Sequence, residues 1–400
     1  MLFISSVIAA ECGADGRVRK EVRDLTREEW MDYKQGLREM QKSGDYDKLA
    51  ATHVKAFASI HGNYVFAQWH RLYLFEFEDT LRKYTKNPLA TIPYYAAWED
   101  SYKYGATTID KSPIFGMYFG AGSGKGECVE ATEDTVFYSG KTSIGGNHCI
   151  TRSYDHNKGI SGRDSIETLY KSSSTFEQFS DLLQVGYHAE THLFMNGDMA
   201  QHWSVNDPVF YSHHCGVDYL YDAYQMAHND FDSSKLKDNG LKAAEFSQYT
   251  YGDAHANKVG CVTYVPYSKR ESYESEKIDL PSNSTTPTTP NNPSSPLSTE
   301  TEAADVGRKV ILNKPASEEE LAQLGIPPEK ASKQEDWNSF KEKVAKGQGI
   351  PVVKDLLSGF GLDSVVDSMT KPKPTQPTDP ETSNSSTLAI ALYLLAILFQ

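Results

Sequence analysis

The chain has 400 residues, enough for two or three domains, of which 39 % are hydrophobic and 24 % charged. Its net charge of −14 offers no electrostatic footprint for nucleic acid and excludes a basic binder of anionic membranes. No apolar run reaches the roughly 20 residues of a membrane span, which excludes a polytopic membrane protein. The average hides a split. All 12 His, all 5 Cys and all but five of the aromatic residues precede residue 276, whereas most of the 18 Pro follow it. The first part can bury a large aromatic core; most of the remainder cannot.

In chain order, Leu2 to Ala10 is a short apolar stretch ending in small residues, so residues 1–10 are expected to be a signal peptide without the usual basic start. A helix is predicted over 19–44, with Thr26 as N-cap and Glu29 three positions on completing a capping box. A second helix, around Tyr46 to Ile60, sets Leu49, His53 and Ala56 on one face; a third runs from near Trp69 to Tyr84, before Pro88 and Pro93. Residues 101–165, rich in Gly, Ser and Thr, read as long loops and short strands stapled by cystine. Helical pattern returns at Thr175 to Asn196 and at Val209 to His228, after Asn206-Asp207-Pro208. Short strand-like pieces follow at 248–268.

The expected domain spans 11–275. Residues 276–316 are a Pro/Ser/Thr-rich linker, and 317–369 a small helical module with starts at Ser317/Glu320 and Ser332/Glu335 but little core of its own. A polar tail (370–387) precedes an apolar tail (388–400). Leu388 to Phe399 is short for a spanning helix and fits a GPI-attachment signal better, with a tail anchor as the competitor. Asn283 and Asn384 head glycosylation triplets. Cys215, inside an apolar segment, is expected to be the buried free thiol, leaving Cys128 to pair with Cys149 and Cys12 with Cys261. These features together lead to the expectation of a protein outside the cell, secreted or at the cell surface, with the C-terminus as the expected point of any membrane attachment.

The chemistry is concentrated in two histidine groups. The first is His53, His61 and His70; the second is His188 and His192, with His214 in the next helix. His188 and His192 are four apart and leave the same helical face, a spacing that suits two ligands of one metal. A lone histidine is more often a packed or surface side chain, and even an i,i+4 pair alone leaves the metal reading in the minority. The flanks alter that weighing: Phe66, Trp69, Phe75, Phe194 and Phe210 favour neutral imidazole over the cation. Six nitrogen ligands suit copper, zinc or iron rather than magnesium or calcium, and an all-imidazole pair of three-coordinate sites points to two coppers.

The pattern of His61, Phe66, Trp69, His70 and Arg71, followed by Phe77 to Leu81 and IPYYAAWED, resembles the first copper motif of tyrosinases. His188 and His192, then MNGDM, NDPVF and His213-His214 with Asp218, resemble the second. The superfamily of tyrosinases, catechol oxidases and molluscan hemocyanins is implied, over roughly residues 17–268. The resemblance implies a mainly α fold, an antiparallel four-helix bundle housing a dicopper centre, with long loops and short strands. It assigns one copper (CuA) to His53, His61 and His70 and the other (CuB) to His188, His192 and His214, with O2 as co-substrate. His213, Asp218, Phe66, Phe210, Ala189 and Gln184 are expected as neighbours of the ligands or the pocket. The remaining histidines, His148, His156, His202, His228 and His255, read as structural or exposed. Asp207 reads as a helix cap and Arg71 as the partner of a buried carboxylate; Arg23 and Tyr264 to Tyr267 resemble the pairing that closes the family's core domain.

Several positions depart from the family. Ser59 replaces a Cys that in some relatives is crosslinked to histidine, Ala189 stands where many tyrosinases have Asn, and Gln184 near where a Glu helps that Asn hold a water. The expected activity is oxidation of monophenols and o-diphenols to o-quinones, diphenol oxidation being the securer half, so a catechol oxidase without monophenolase activity is the near alternative. An oxygen carrier and a copper-free or zinc-bearing relative are alternatives of another kind. Small phenols or protein tyrosines are the expected partners, and a latent state covered by residues 317–369 is a further expectation.

Overall fold

The computed structural model describes residues 16–120, 122, 126–129, 144–146, 148–236, 240–246, 248–268 and 316–345. The expected signal peptide, most of the linker, both tails and the glycosylation triplets lie outside them, as does Cys12. Strand β1 (Arg17–Arg19) pairs in parallel with β2 (Val262–Tyr264), Arg17 opposite Val262 and Arg19 opposite Tyr264. Between them the described chain is mainly helical: α1 (Arg27–Ser43), α2 (Asp45–Ile60), α3 (Phe66–Leu81), α4 (Ala97–Tyr104), α5 (Arg163–Ser172), α6 (Phe176–Leu183), α7 (Ala189–Met195), α8 (Val209–His228) and α9 (Tyr251–His255). Beyond residue 315 come α10 (Glu318–Gln323) and α11 (Ser332–Ala345).

Local sequence accounts for the first helices. The Thr26–Glu29 capping box is formed in both directions, satisfying two orphan N–H groups of α1. That cap also corrects the expected start at residue 19. Leu25 is extended, and the segment before it is spent on β1 and a single turn at Val22–Asp24. Gly44, at φ +80°, ends α1 and lets α2 begin one residue later. On α2, the buried positions Tyr46, Leu49, Ala50, His53, Ala56 and Ile60 make one stripe. Helices α3 and α8 are buried almost all round, the signature of central helices. They pack on each other, and α3 also against α2.

Residues 101–165 hold more helix than expected, because α4 reaches Tyr104 and α5 starts at Arg163; both are short and only overlap the ends of this span. The expected helix Thr175 to Asn196 divides into α6, a π-turn at Gln184–His188 and α7. The Cys128–Cys149 disulfide is present, Cys215 is free and buried, and Cys261 is disulfide-bonded.

Buried charges hold the ends of the domain to its centre. The fully buried Arg19 donates from Nε to Glu78 of α3 at 2.8 Å and from Nη1 to Asp218 of α8 at 2.9 Å and to the Tyr264 hydroxyl at 2.7 Å. Arg71 of α3 donates to the other Asp218 oxygen at 2.7 Å and also reaches Gln225 and the Ala254 carbonyl. Arg23 lies 4.5 Å from the Tyr267 ring centroid and pairs with Glu21 and Asp100. The guanidinium groups of Arg19 and Arg71 are buried but paired, which is the condition for tolerating such charges. The Asp218→Ala variant would strand Arg19 and Arg71 without one of their carboxylates. It should lose about 3–5 kcal/mol of stability in denaturant unfolding of the metal-free protein, and a loss under about 1 kcal/mol would contradict this reading.

Candidate metal centre

The four segments that carry the histidines deliver their imidazoles to one interior space. His53 lies on α2, His61 just past its end, His70 on α3, His188 at the end of the π-turn, His192 on α7, and His213 and His214 on α8. None is more than 4 % exposed. One ring nitrogen from each of His53, His61 and His70 falls within a common 4.8 Å, and the same holds for His188, His192, His213 and His214. The groups adjoin: the His70 and His214 rings are stacked at 4.4 Å between centroids, and His61 lies 5.9 Å from His188. All six expected ligands are thus brought together, and His213 lies closer to the site than the sequence suggested.

The backbone aims most of these rings. Nδ1 bonds to the carbonyl of Phe57 in His61 (2.9 Å), of Phe66 in His70 (2.8 Å), of Gln184 in His188 (3.1 Å) and of Met199 in His192 (2.6 Å). A carbonyl accepts, so Nδ1 carries the proton and Nε2 is left with its lone pair. The Nε2 atoms of His70 and His188, and both ring nitrogens of His53, are buried without a hydrogen-bond partner. The Nε2 atoms of His192 and His214 face each other at 3.4 Å. Buried polar atoms are rarely left unpaired, and lone pairs converging in this way fit metal ions. The donor set suits copper, zinc or iron.

Burial lowers the pKa of all seven imidazoles, and His61 and His192 fall to about 4. Neutral rings are what a metal requires of them. Phe66 lies 4.6 Å from His70 and 4.8 Å from His188, while Phe210 stacks on His214 at 4.1 Å. These two rings stand where the sequence expected them. Ala189 is fully buried beside His188. Gln184 is committed to structure: its Oε1 accepts from the Gly62 N–H at 2.8 Å and its Nε2 donates to the Asn63 carbonyl at 3.2 Å. It therefore ties the turn before His188 to the loop after His61. Asp218 serves Arg19, Arg71 and Tyr264 rather than orienting His214. Asp207 accepts from the Val209 N–H, as a cap would, and also pairs with Arg152.

Of the remaining histidines, His148 binds Asp198, His156 and His228 are exposed, and the buried His255 is bonded to the Tyr221 hydroxyl at 2.6 Å. No local pattern signalled Arg19 or the Met199 carbonyl. The helices beyond residue 315 start where expected, at Ser317 with its Glu320 capping box and at Ser332, but they share the domain's core instead of standing apart: Leu321, Leu324, Ile326 and Trp337 join it, and a Cβ on Gly325 would stand 2.8 Å from that of His61.

Comparison with known proteins agrees with this geometry. Residues 43–227 match the common central domain of tyrosinase, a stretch that contains all seven clustered histidines, and this match together with the relatives below supports the tyrosinase superfamily. It is 28 % identical over 248 residues to the tyrosinase-like protein tyr-3 of Caenorhabditis elegans, covering 56 % of this chain but only 34 % of that protein. It is 25 % identical over 231 residues to the tyrosinase of Streptomyces antibioticus, covering 53 % and 84 %. Among solved structures, a polyphenol oxidase of Thermothelomyces thermophila aligns at a TM-score of 0.47 and 17 % identity, over 66 % of this chain and 93 % of that one.

The depressed imidazoles set a pH dependence. In the metal-free folded protein they are neutral, whereas in the unfolded chain they titrate near 6.5. Below that value the unfolded state takes up protons first. Stability is therefore full above pH 6.5 and falls towards pH 4, by about 1.4 kcal/mol per pH unit for each imidazole involved. The melting temperature of the metal-free protein should drop steeply across this window; a flat profile would mean that the cluster is not held neutral by burial.

Proposed function

We propose that the protein is a type 3 copper phenol oxidase, with CuA held by His53, His61 and His70 and CuB by His188, His192 and His214. The observation that carries this reading is the convergence of two buried, uncharged histidine groups whose Nδ1 atoms are largely anchored to backbone carbonyls. The four helical segments that bear them are read as the expected antiparallel bundle. Bound copper would supply the redox exchange between O2 and a phenol.

The rest is the work of this chain's residues. The carbonyls of Phe57, Phe66, Gln184 and Met199 fix ring orientation and tautomer, the outer partners that metal-binding histidines usually need. Phe66 and Phe210 keep water from the rings and offer aromatic surface to a phenol. Proton removal from a monophenol has weak support. Ala189 has no polar group, and the Gln184 amide is engaged by Gly62 and Asn63. A catechol is more acidic and needs no new C–O bond. The favoured reaction is thus oxidation of o-diphenols to o-quinones, with slower hydroxylation of monophenols; small phenols and accessible protein tyrosines are the proposed substrates. The Cys128–Cys149 disulfide supports an oxidising, extracellular setting, with the C-terminal apolar run as the proposed membrane attachment.

Copper-loaded full-length protein assayed with tyrosine and with L-DOPA tests this directly. DOPA should be oxidised at least about ten times faster than tyrosine, a difference of about 1.4 kcal/mol in barrier. His192→Ala should reduce both rates to the copper-free background. Reversible uptake of O2 without turnover of either compound would instead identify an oxygen carrier.

A further inference from the structure

Helix α11 belongs to the segment after residue 315, yet it grips the short stretch that aims His188. The Trp337 indole lies against Gly186, in the middle of the π-turn, so closely that a Cβ there would be 2.6 Å from the ring. Gln334 donates to the Val185 carbonyl at 3.4 Å. Glu190, midway between His188 and His192, accepts at one oxygen from Trp337 Nε1 and from Lys341 Nζ, both at 2.8 Å. Its other oxygen accepts from the Ser161 N–H at 2.8 Å. Trp337 and Lys341 are each only 2 % exposed.

Three points along this stretch are thereby held from one helix: the carbonyl of 185, the backbone of 186 and the side chain of 190. The His188 ring is oriented by the Gln184 carbonyl, at the start of the same turn. A π-turn pairs residues five apart and occurs mostly as a single-turn interruption at functional sites. Relaxation of 184–188 to ordinary i→i+4 pairing would turn the face that carries both His188 and His192 relative to α6 and swing the pair away from His214 on α8. The smooth side of glycine and the flat indole fill the position where such relaxation would begin.

We infer that Trp337 and Lys341 are positioning residues for the second metal half-site, acting through Gly186 and Glu190 to hold the π-turn that points His188 at the metal. Residues 316–345 then form an integral clasp of the metal domain. The inference rests on the assignment of His188 as a ligand, which the unaltered protein tests by itself, since it should bind two metal ions per chain.

The experiment is a titration of metal-free, full-length protein with Zn2+ alone, followed by calorimetry, so that neither O2 nor turnover is involved. Trp337→Ala should weaken one of the two sites by about 10- to 100-fold, the usual effect of losing an outer partner of a metal ligand, and leave the other within about three-fold. Lys341→Met should act in the same direction, and Trp337→Phe and Lys341→Arg should restore most of the affinity. Leu37→Ala, a core truncation on α1, serves as a control for general destabilisation and should alter neither site selectively. If Trp337→Ala does not fold, the Lys341 and Trp337→Phe variants carry the test. Two unchanged sites in these variants would overturn the clasp, as would an equal loss at both sites matching the control. Two unchanged zinc sites, with faster catechol turnover when the same variants are separately loaded with copper, would also overturn it and make the segment a cover over the centre.

Discussion

A protein interior tolerates imidazole readily when it is neutral and poorly when it is charged, and that asymmetry is what the whole structure depends on. Seven histidines in one dry space would repel one another as cations. Burial keeps them uncharged, and in that state each presents a lone pair. Phe66, Trp69, Tyr73 and Phe210 supply the apolar surroundings, so hydrophobic packing and metal affinity have the same origin here. The backbone then settles direction. A carbonyl one turn back holds Nδ1 of His61, His70 and His188, while for His192 the acceptor comes from Met199, seven residues further on. His53 and His214 lack such an anchor at Nδ1 and rely on packing.

The second requirement is to hold α3 and α8 in register, since each contributes to a different half of the centre. Arg19, Arg71, Glu78 and Asp218 meet this through charge-assisted bonds that also engage β1 and β2. Their geometry is two-sided: one carboxylate of α8 receives a guanidinium from β1 and another from α3. A purely apolar seam would stabilise as well, but it would leave sliding along the helices less restricted. Directional bonds place Arg71 and its neighbour His70 at a fixed height opposite Asp218 and His214.

The histidine-bearing helices were largely legible in the sequence because their signals are local. The Thr26 cap, the α2 stripe, the span Val209–His228 and the histidine spacing all depend on residues within a few turns. What was hidden depends on partners far along the chain. Arg19 resembled any basic residue near an N-terminus until Glu78 and Asp218 enclosed it. Gln184 read as a lost carboxylate, whereas it bonds a loop more than a hundred residues earlier. Trp337 and Gly186 lie about 150 residues apart, and nothing local to either signals the other. The π-turn is invisible for a similar reason: tertiary contacts, rather than helix propensity, decide where an extra residue is accommodated.

The parallel pairing of β1 with β2 has a mechanical consequence. Tension entering at Arg17 and leaving at Tyr264 would run along both strands in opposite directions, loading their hydrogen bonds together rather than one after another. Behind that ladder, the guanidinium of Arg19 is bolted to two helices. A pull on the chain at these two points would therefore meet shear resistance before it reached the histidines, and the ligand cage would be among the last parts of the fold to feel the load.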